Sequence, residues 1–457
     1  MPTLAVKNPA NGATLAELPA DDAQSISAKY RAARAAQPAW AATSLATRLD
    51  TMRRFGEALK RDVDQLAGVL TSETGKPIRQ AKNEINGLLA RIDFFVDSTA
   101  QTIEPRDVHD ADGMREQITH EPLGVIANIS AWNYPYFVGG NVFIPALLTG
   151  NAVMYKPSEF AAMTGLEIAK RLHASGVPAD VFSIVVGAGT TGAGLLDQPI
   201  DGVFFTGSYA TGRRIAEQVG PRMLKLQLEL GGKDPTYVRA DADVAAAAAS
   251  LADGAMYNAG QSCCSVERIY VHRAVHDDFV NAFVGEVKNF RLGDPNAEDT
   301  YIGPLTRAAQ LEVLERQVAD AVGKGATLVI GGKRLPPPGN WFEVTVLTNV
   351  DHSMELMREE SFGPIIGIQK VENDDEAVGL MNDTDYGLTA GVYTKDPQRA
   401  RELLSQIDAG SVYWNCCDRV SPRLPWSGAK NSGVGLTLST YGIETFTRPK
   451  AWHLKQA

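Results

Sequence analysis

The sequence predicts an α/β protein with two doubly wound, Rossmann-like units built on parallel sheets. Three observations lead there. The chain has 457 residues, and domains commonly hold roughly 100–200. Short apolar runs bounded by Gly and Pro alternate with helix-period segments, as buried parallel strands with crossover helices require. The alternation then begins afresh after about Gly231.

After a turn-rich start at Asn8-Pro-Ala-Asn-Gly12, Asp21 and Asp22 can cap an alanine-rich helix that runs toward Trp40. Further helices are expected over residues 47–70 and 78–100. Residues 124–130 read as a buried strand, followed by an apolar helix and a strand over 152–156. A helix over 164–175 precedes a strand at 181–186, and a helix over 192–196 precedes a strand at 202–206. In the second series Asp243 caps an alanine-run helix. A helix over 306–323, a strand over 327–330 and the Leu335-Pro-Pro-Pro-Gly339 loop follow. No internal repeat or long flexible linker interrupts the series.

Hydrophobic residues make up 44% of the chain and charged residues 21%, which fits a globular protein and not a disordered one. The formal net charge is −10, the wrong sign for general binding to nucleic acid or an anionic membrane. The N-terminus lacks a charged start with a long apolar run, and the most apolar stretch, 138–153, is broken by Gly, Asn and Pro. Neither a signal peptide nor a membrane span is expected. The cysteines form two adjacent pairs, Cys263/Cys264 and Cys416/Cys417. Neighbours do not normally bridge, so a reducing, cytoplasmic setting is expected. His272 and His276 are four apart but have no acidic or further His partner nearby, so no metal is expected.

Two motifs carry chemistry. Tyr257-Asn-Ala-Gly-Gln-Ser-Cys-Cys-Ser265 places a thiol after a Gly-Gln turn, where backbone N–H groups can stabilise a thiolate. Leu228-Glu-Leu-Gly-Gly-Lys-Asp-Pro235 sets a carboxylate between leucines and before two glycines. Partial desolvation there raises a Glu toward general-base range. Each alone has a plainer reading, as an inert core cysteine and a strand-end glutamate. Together, in this order and spacing, Glu229-Leu-Gly-Gly-Lys233 and Gly260-Gln-Ser-Cys263 resemble the NAD(P)-dependent aldehyde dehydrogenase superfamily, and the resemblance runs along essentially the whole chain.

The resemblance implies Cys263, not Cys264, as nucleophile, Glu229 as base and Asn133 of Ser130-Ala-Trp-Asn-Tyr-Pro135 as oxyanion donor; Lys156 also falls among the catalytic positions. Two glycine loops compete for the cofactor. Gly187-Ala-Gly-Thr-Thr-Gly192 matches GxGxxG literally, yet Gly207-Ser-Tyr-Ala-Thr-Gly212 is the one similar to the family's phosphate loop. Ser208 and a helix N-terminus would meet the pyrophosphate there, with Gly187 on the adenosine side or simply turning the chain. Lys156 and Glu159 of Tyr155-Lys-Pro-Ser-Glu159 would hold the adenosine ribose, Ser158 between them. Ser130, Trp132, Gly207, Gly212, Leu230 and Gly231 would line the cofactor, and Glu360 and Phe362 would clamp the nicotinamide end. A carboxylate at the ribose favours NAD, though relatives with this motif accept NADP as well.

Tyr134, Val138, Asn141, Tyr257, Ser262, Asp418, Val420 and Trp426 match positions lining the family's aldehyde tunnel. A general aliphatic or aromatic aldehyde, oxidised to the acid by hydrolysis and not passed to coenzyme A, is the first expectation. Tyr134, Tyr257 and Trp426 with Asp418 keep an amino or betaine aldehyde open, although Asn141 interrupts such an aromatic box. Arg419 and Arg423 keep a succinate-semialdehyde type open. A non-catalytic structural homologue or a thiol esterase is the alternative class. The family's usual Lys–Glu proton path is missing, because Val142 and Thr437 stand at its two ends; Glu229 is expected to exchange protons through water or backbone carbonyls. The resemblance divides the chain into a cofactor-binding domain (1–103 and 123–231), a catalytic domain (232–446) and a small oligomerisation arm (104–122 and 447–457). It implies a homodimer or homotetramer.

Overall fold

The computed structural model describes residues 3–455. Met1 and Pro2 of the expected leaderless start, and Gln456 and Ala457 of the expected arm, lie outside the described residues. Strands Val125–Ile129, Ala152–Lys156 and Gly202–Thr206 are buried at every position. Such continuous apolar runs suit strands covered on both faces, and they pair in parallel. The first sheet has six strands in the order Gly433–Val434, Lys225–Glu229, Gly202–Thr206, Val125–Ile129, Ala152–Lys156, Phe182–Ile184. The chain therefore starts at Val125–Ile129, steps outward to Phe182–Ile184, and returns to the opposite side with Gly202–Thr206. That reversal opens a crevice between the carboxyl ends of Val125–Ile129 and Gly202–Thr206, where doubly wound sheets bind ligands.

The second sheet has seven strands, Thr327–Ile330, Thr345–Thr348, Ile365–Val371, Arg268–His272, Pro235–Val238, Thr389–Tyr393 and Ser411–Trp414, of which only the first pairs antiparallel. Arg106–Ala111, Met114–Pro122 and Thr447–Lys455 make a separate antiparallel sheet. Among the described residues no helix is long and apolar enough to cross a membrane.

Three local features differ from the sequence expectation. The stretch 47–70 is two helices, Leu45–Arg61 and Val63–Thr74. They break at Asp62, whose carboxylate is held by Arg61 and Arg171 (2.9 and 3.2 Å). The helix expected at 192–196 already begins at Gly189. The turn-rich N-terminus is a hairpin of Thr3–Lys7 and Thr14–Pro19.

The C-terminal stretch also crosses between units. Trp426, Leu438, Ile443 and Phe446, which the resemblance assigns to the 232–446 catalytic domain, pack into the core of the first unit. Strand Gly433–Val434 adds antiparallel to Lys225–Glu229 there. Gly433 has φ +155°, and a Cβ on it would lie 2.3 Å from the Leu228 carbonyl oxygen, so glycine is what permits the approach. This crossing brings Thr437 against the end of the strand that carries Glu229.

Candidate active site

Helix Val244–Met256, capped by the Asp243 carboxylate on the Ala246 N–H (3.1 Å), ends in a sharp turn. Asn258, Ala259 and Gly260 all take positive φ (53°, 54° and 71°), a costly run for the two that carry a Cβ. Hydrogen bonds hold it. The Asn258 N–H donates to Gln80 Oε1 (2.9 Å), and Asn258 Nδ2 donates to the carbonyls of Gln261 (3.1 Å) and Asn133 (3.3 Å). A Cβ at Gly260 would sit 2.3 Å from the Gly363 oxygen. The turn presents Cys263 half-buried on a cavity wall, whereas Cys264 is buried with its thiol donating to Asp418 Oδ1 (3.0 Å).

Glu229 ends its strand facing the same cavity. Burial pushes its carboxyl up to about 7, moderated by the Thr437 hydroxyl, which donates to Oε1, and by the positive charge of Arg91. Thr437, one of the two departures from the family's Lys–Glu pattern, thus places a hydroxyl directly on Glu229. Gly232 follows, and a Cβ there would lie 2.8 Å from the Cys263 carbonyl oxygen, so the glutamate motif and the nucleophile loop are in close contact.

Asn133 is buried and joins the cluster. Its Nδ2 donates to the Gln261 carbonyl (3.2 Å), which leaves one amide N–H for another acceptor beside the Cys263 loop. Its own carbonyl accepts from Lys76 Nζ (2.7 Å), and Lys76 is ion-paired with Glu84 in full burial. Glu84 in turn accepts the Tyr136 N–H (2.9 Å). The helix Ile78–Ile103 thereby fixes the loop that carries Asn133.

The cavity beside Cys263 and Glu229 encloses about 530 Å³ and is lined by Tyr134, Val138, Asn141, Tyr257, Ser262, Asp418, Val420 and Trp426. Gln80, Glu84, Gly87 and Arg91, which sequence reasoning missed, line it as well. Their signal was present: they recur on one face of helix Ile78–Ile103 among Leu88, Ile92 and Phe95, so these polar groups stand on a buried stripe. Part of the aromatic surface, at Tyr134 and Phe137, is already occupied by cations of the protein. Lys76 Nζ sits 3.8 Å from the Tyr134 ring centre, Tyr134 stacks on Phe137 (5.9 Å, 8°), and the Arg91 guanidinium lies 3.8 Å from the Phe137 centre. Arg419 and Arg423 are exposed. Lys156 lies outside this cavity.

The sheet crevice offers a separate cradle. Ser208 is exposed at the N-cap of helix Tyr209–Val219, and its side chain makes no capping bond, so the Tyr209 and Ala210 N–H groups of the first turn are free for an anion. The loop from Gly207 to Gly212 lies at the sheet's reversal point, whereas Gly187 follows the edge strand Phe182–Ile184. A Cβ on Gly212 would meet Leu230 at 2.4 Å, which seats that helix against the glutamate motif. Beside Ser130 at the end of Val125–Ile129, Lys156 Nζ donates to the Pro157 carbonyl (3.0 Å) and lies 3.8 Å from Glu159, with Ser158 buried next to them. On the other wall Glu360 Oε1 accepts the Gly232 N–H (3.2 Å) and packs against Gly231, and burial pushes its carboxyl up to about 8. Phe362 meets Trp132 edge-on (5.5 Å, 82°). Its loop is pinned by Glu267, which accepts the Ser361 and Phe362 N–H groups and pairs with Lys233 (2.6 Å). Free helix N–H groups, a lysine–carboxylate pair and an aromatic wall fit a dinucleotide.

Residues 2–452 match the aldehyde dehydrogenase family. The chain belongs to that family. The enzyme is 36% identical over its full length to 3,6-anhydro-α-L-galactose dehydrogenase of Streptomyces coelicolor, covering 94% of that protein. It is 36% identical, over 95% of its own length and 86% of the other, to a Mycolicibacterium smegmatis protein that carries a succinate-semialdehyde dehydrogenase [NADP(+)] name. The structure of PnpE in complex with nicotinamide adenine dinucleotide superposes with a TM-score of 0.96 at 31% identity, covering 99% of this chain and 94% of that one. The enzyme is an aldehyde-oxidising oxidoreductase of the NAD(P)-dependent class.

Proposed function

We propose that the enzyme oxidises its aldehyde to the free acid through Cys263, Glu229 and Asn133. What carries the reading is the shared cavity: a thiol and a carboxyl held near 7 face one space, with a buried amide beside the thiol. The Cys263 sulfur bonds to the aldehyde carbon, and the oxygen that takes the charge accepts from Asn133 Nδ2 and the Cys263 N–H. A nicotinamide held between Glu360 and Phe362 would supply the hydride acceptor, and loss of hydride from the former aldehyde carbon leaves a thioester on Cys263. Glu229 then removes a proton from water, the resulting hydroxide attacks the thioester carbon, and the C–S bond breaks to release the acid and the Cys263 thiolate. The Thr437 hydroxyl orients the carboxylate.

In the crevice, Ser208 with the helix N-terminus would hold pyrophosphate, Lys156 and Glu159 the adenosine ribose, and Glu360 and Phe362 the nicotinamide end. The Glu159 carboxylate favours NAD, with NADP as second choice. A cationic amino aldehyde is disfavoured, because Lys76 already occupies the Tyr134 ring. The cytoplasm suits an enzyme whose four cysteines are all free.

Reduced-nicotinamide absorbance with a panel of aldehydes tests the activity. Silence with every aldehyde and both cofactors, from folded protein, would overturn it. The same assay tests Glu229. Its carboxyl must be ionised to act as base, and burial raises its pKa, so turnover is expected to rise with pH through about 7. Glu229→Gln should abolish that limb and stall after one acyl-enzyme equivalent. Near-normal steady-state turnover in this variant would refute the assignment.

The arm sheet supports a dimer or a dimer of dimers. Thr447–Lys455 pairs on one side with Met114–Pro122, and it leaves Trp452 and Leu454 exposed, an edge of the kind proteins usually cover. Light scattering should give two or four times 49.1 kDa; a monomer mass would contradict it.

A further inference from the structure

The cavity holds one buried guanidinium that the reaction above does not use. Arg91 is only 5% exposed, and Nη1 donates to Asn141 Oδ1 (2.6 Å). Among the described residues this is its one side-chain hydrogen bond, and no carboxylate forms an ion pair with it. The neighbouring carboxylates are committed elsewhere: Glu84 to Lys76 and the Tyr136 N–H, Glu229 to Thr437, Asp418 to Cys264. Burying a cation without a counter-ion is unfavourable, and a guanidinium carries five N–H donors in a planar fork. Burial lowers Arg91 to about 10, so it is still charged at neutral pH.

The fork is also held in place. Arg91 lies flat over Phe137, which stacks on Tyr134. Gly87, one turn before Arg91, makes the room, since a Cβ there would meet Phe137 at 2.6 Å. Asn141, which anchors the guanidinium, stands about 9 Å of helix rise beyond Pro135, and Asn133 immediately precedes that helix. Arg91, Asn141 and Cys263 thus line one cavity.

We propose that Arg91 is a specificity-determining residue that receives a carboxylate at the far end of the substrate, which makes the preferred substrate a short ω-carboxy aldehyde. This rests on Cys263 being the nucleophile. A planar fork matches a carboxylate in bidentate fashion, and no other cation on the cavity wall is both buried and unpaired. Lys76 is spent on Glu84 and the Asn133 carbonyl, and Arg419 is exposed.

The test compares kcat/KM for succinate semialdehyde, butanal and glyceraldehyde. The semialdehyde should be preferred over butanal by roughly 10- to 150-fold, the range for a hydrogen bond to a charged group. Arg91→Met should bring that ratio to within about threefold of one through a higher KM for the semialdehyde, and Arg91→Lys should keep part of it. No preference in the wild type, a preference for glyceraldehyde, or a ratio that survives Arg91→Met would overturn the proposal. Should Arg91→Met not fold, the wild type decides: succinate should compete with butanal at least about tenfold better than succinamide, and equal inhibition would overturn it. Butanal oxidised without a carboxylate preference defeats this proposal alone, whereas no oxidation of any aldehyde defeats it together with the nucleophile assignment.

Discussion

Cys263→Ala is expected to cut aldehyde oxidation by about four orders of magnitude or more, since removing a covalent nucleophile removes the route and not merely one contact. Cys264→Ala, one residue along, should lose no more than about tenfold. The contrast follows from where the two thiols stand. Cys263 opens on the cavity shared with Glu229, whereas Cys264 is buried and its thiol donates a hydrogen bond to Asp418. The Cys263 thiol beside it and burial together push Cys264 far above the ordinary thiol range, so it stays protonated and unreactive. Burial likewise raises Cys416, and raises Cys417 to about 11. Iodoacetamide followed by peptide mass mapping should therefore label Cys263 first. Labelling of Cys264 ahead of Cys263, or full activity in Cys263→Ala, would remove the nucleophile assignment.

The strands and crossover helices were legible in the sequence because fully buried parallel strands leave unbroken apolar runs such as Val125–Ile129 and Gly202–Thr206. The proposed nucleophile and base stand out in the sequence because both sit in glycine-bearing motifs, and the structure gives those glycines a reason in the close contacts of Gly232 and Gly260. Tertiary placement was not. Gly433–Val434 is too short to show any period, so nothing in the chain announced that 426–446 returns to the first core. Nor could Thr437 be recognised as more than a departure from the family pattern; only the return of that segment puts its hydroxyl on Glu229. Arg91 was hidden for a related reason. A charged residue on a helix reads as solvent-facing until its neighbours at the same face are seen to be buried. The sequence instead offers Arg419 and Arg423 as anion partners, and both are exposed. Between the two glycine loops the resemblance favours Gly207–Gly212 over the literal motif, and strand order puts that loop at the sheet's reversal while Gly187 follows an edge strand.

Asn133→Ala should lower kcat by about two to three orders of magnitude, the 2.7–4 kcal/mol typical of one lost oxyanion donor. The prediction is specific to the side chain. Two groups lean on the Asn133 backbone carbonyl, Lys76 Nζ at 2.7 Å and Asn258 Nδ2 at 3.3 Å, and alanine retains that acceptor. The Lys76–Glu84 pair should stay intact and the turn that presents Cys263 should keep its support, so the fold survives while one N–H is removed. The Cys263 N–H would still meet the oxyanion, which is why a residual rate is expected, in contrast to Cys263→Ala. Because the amide acts on charge that develops only after attack, KM should move far less than kcat. A loss below about tenfold, or a loss confined to KM, would show that the oxyanion is held by something other than this amide.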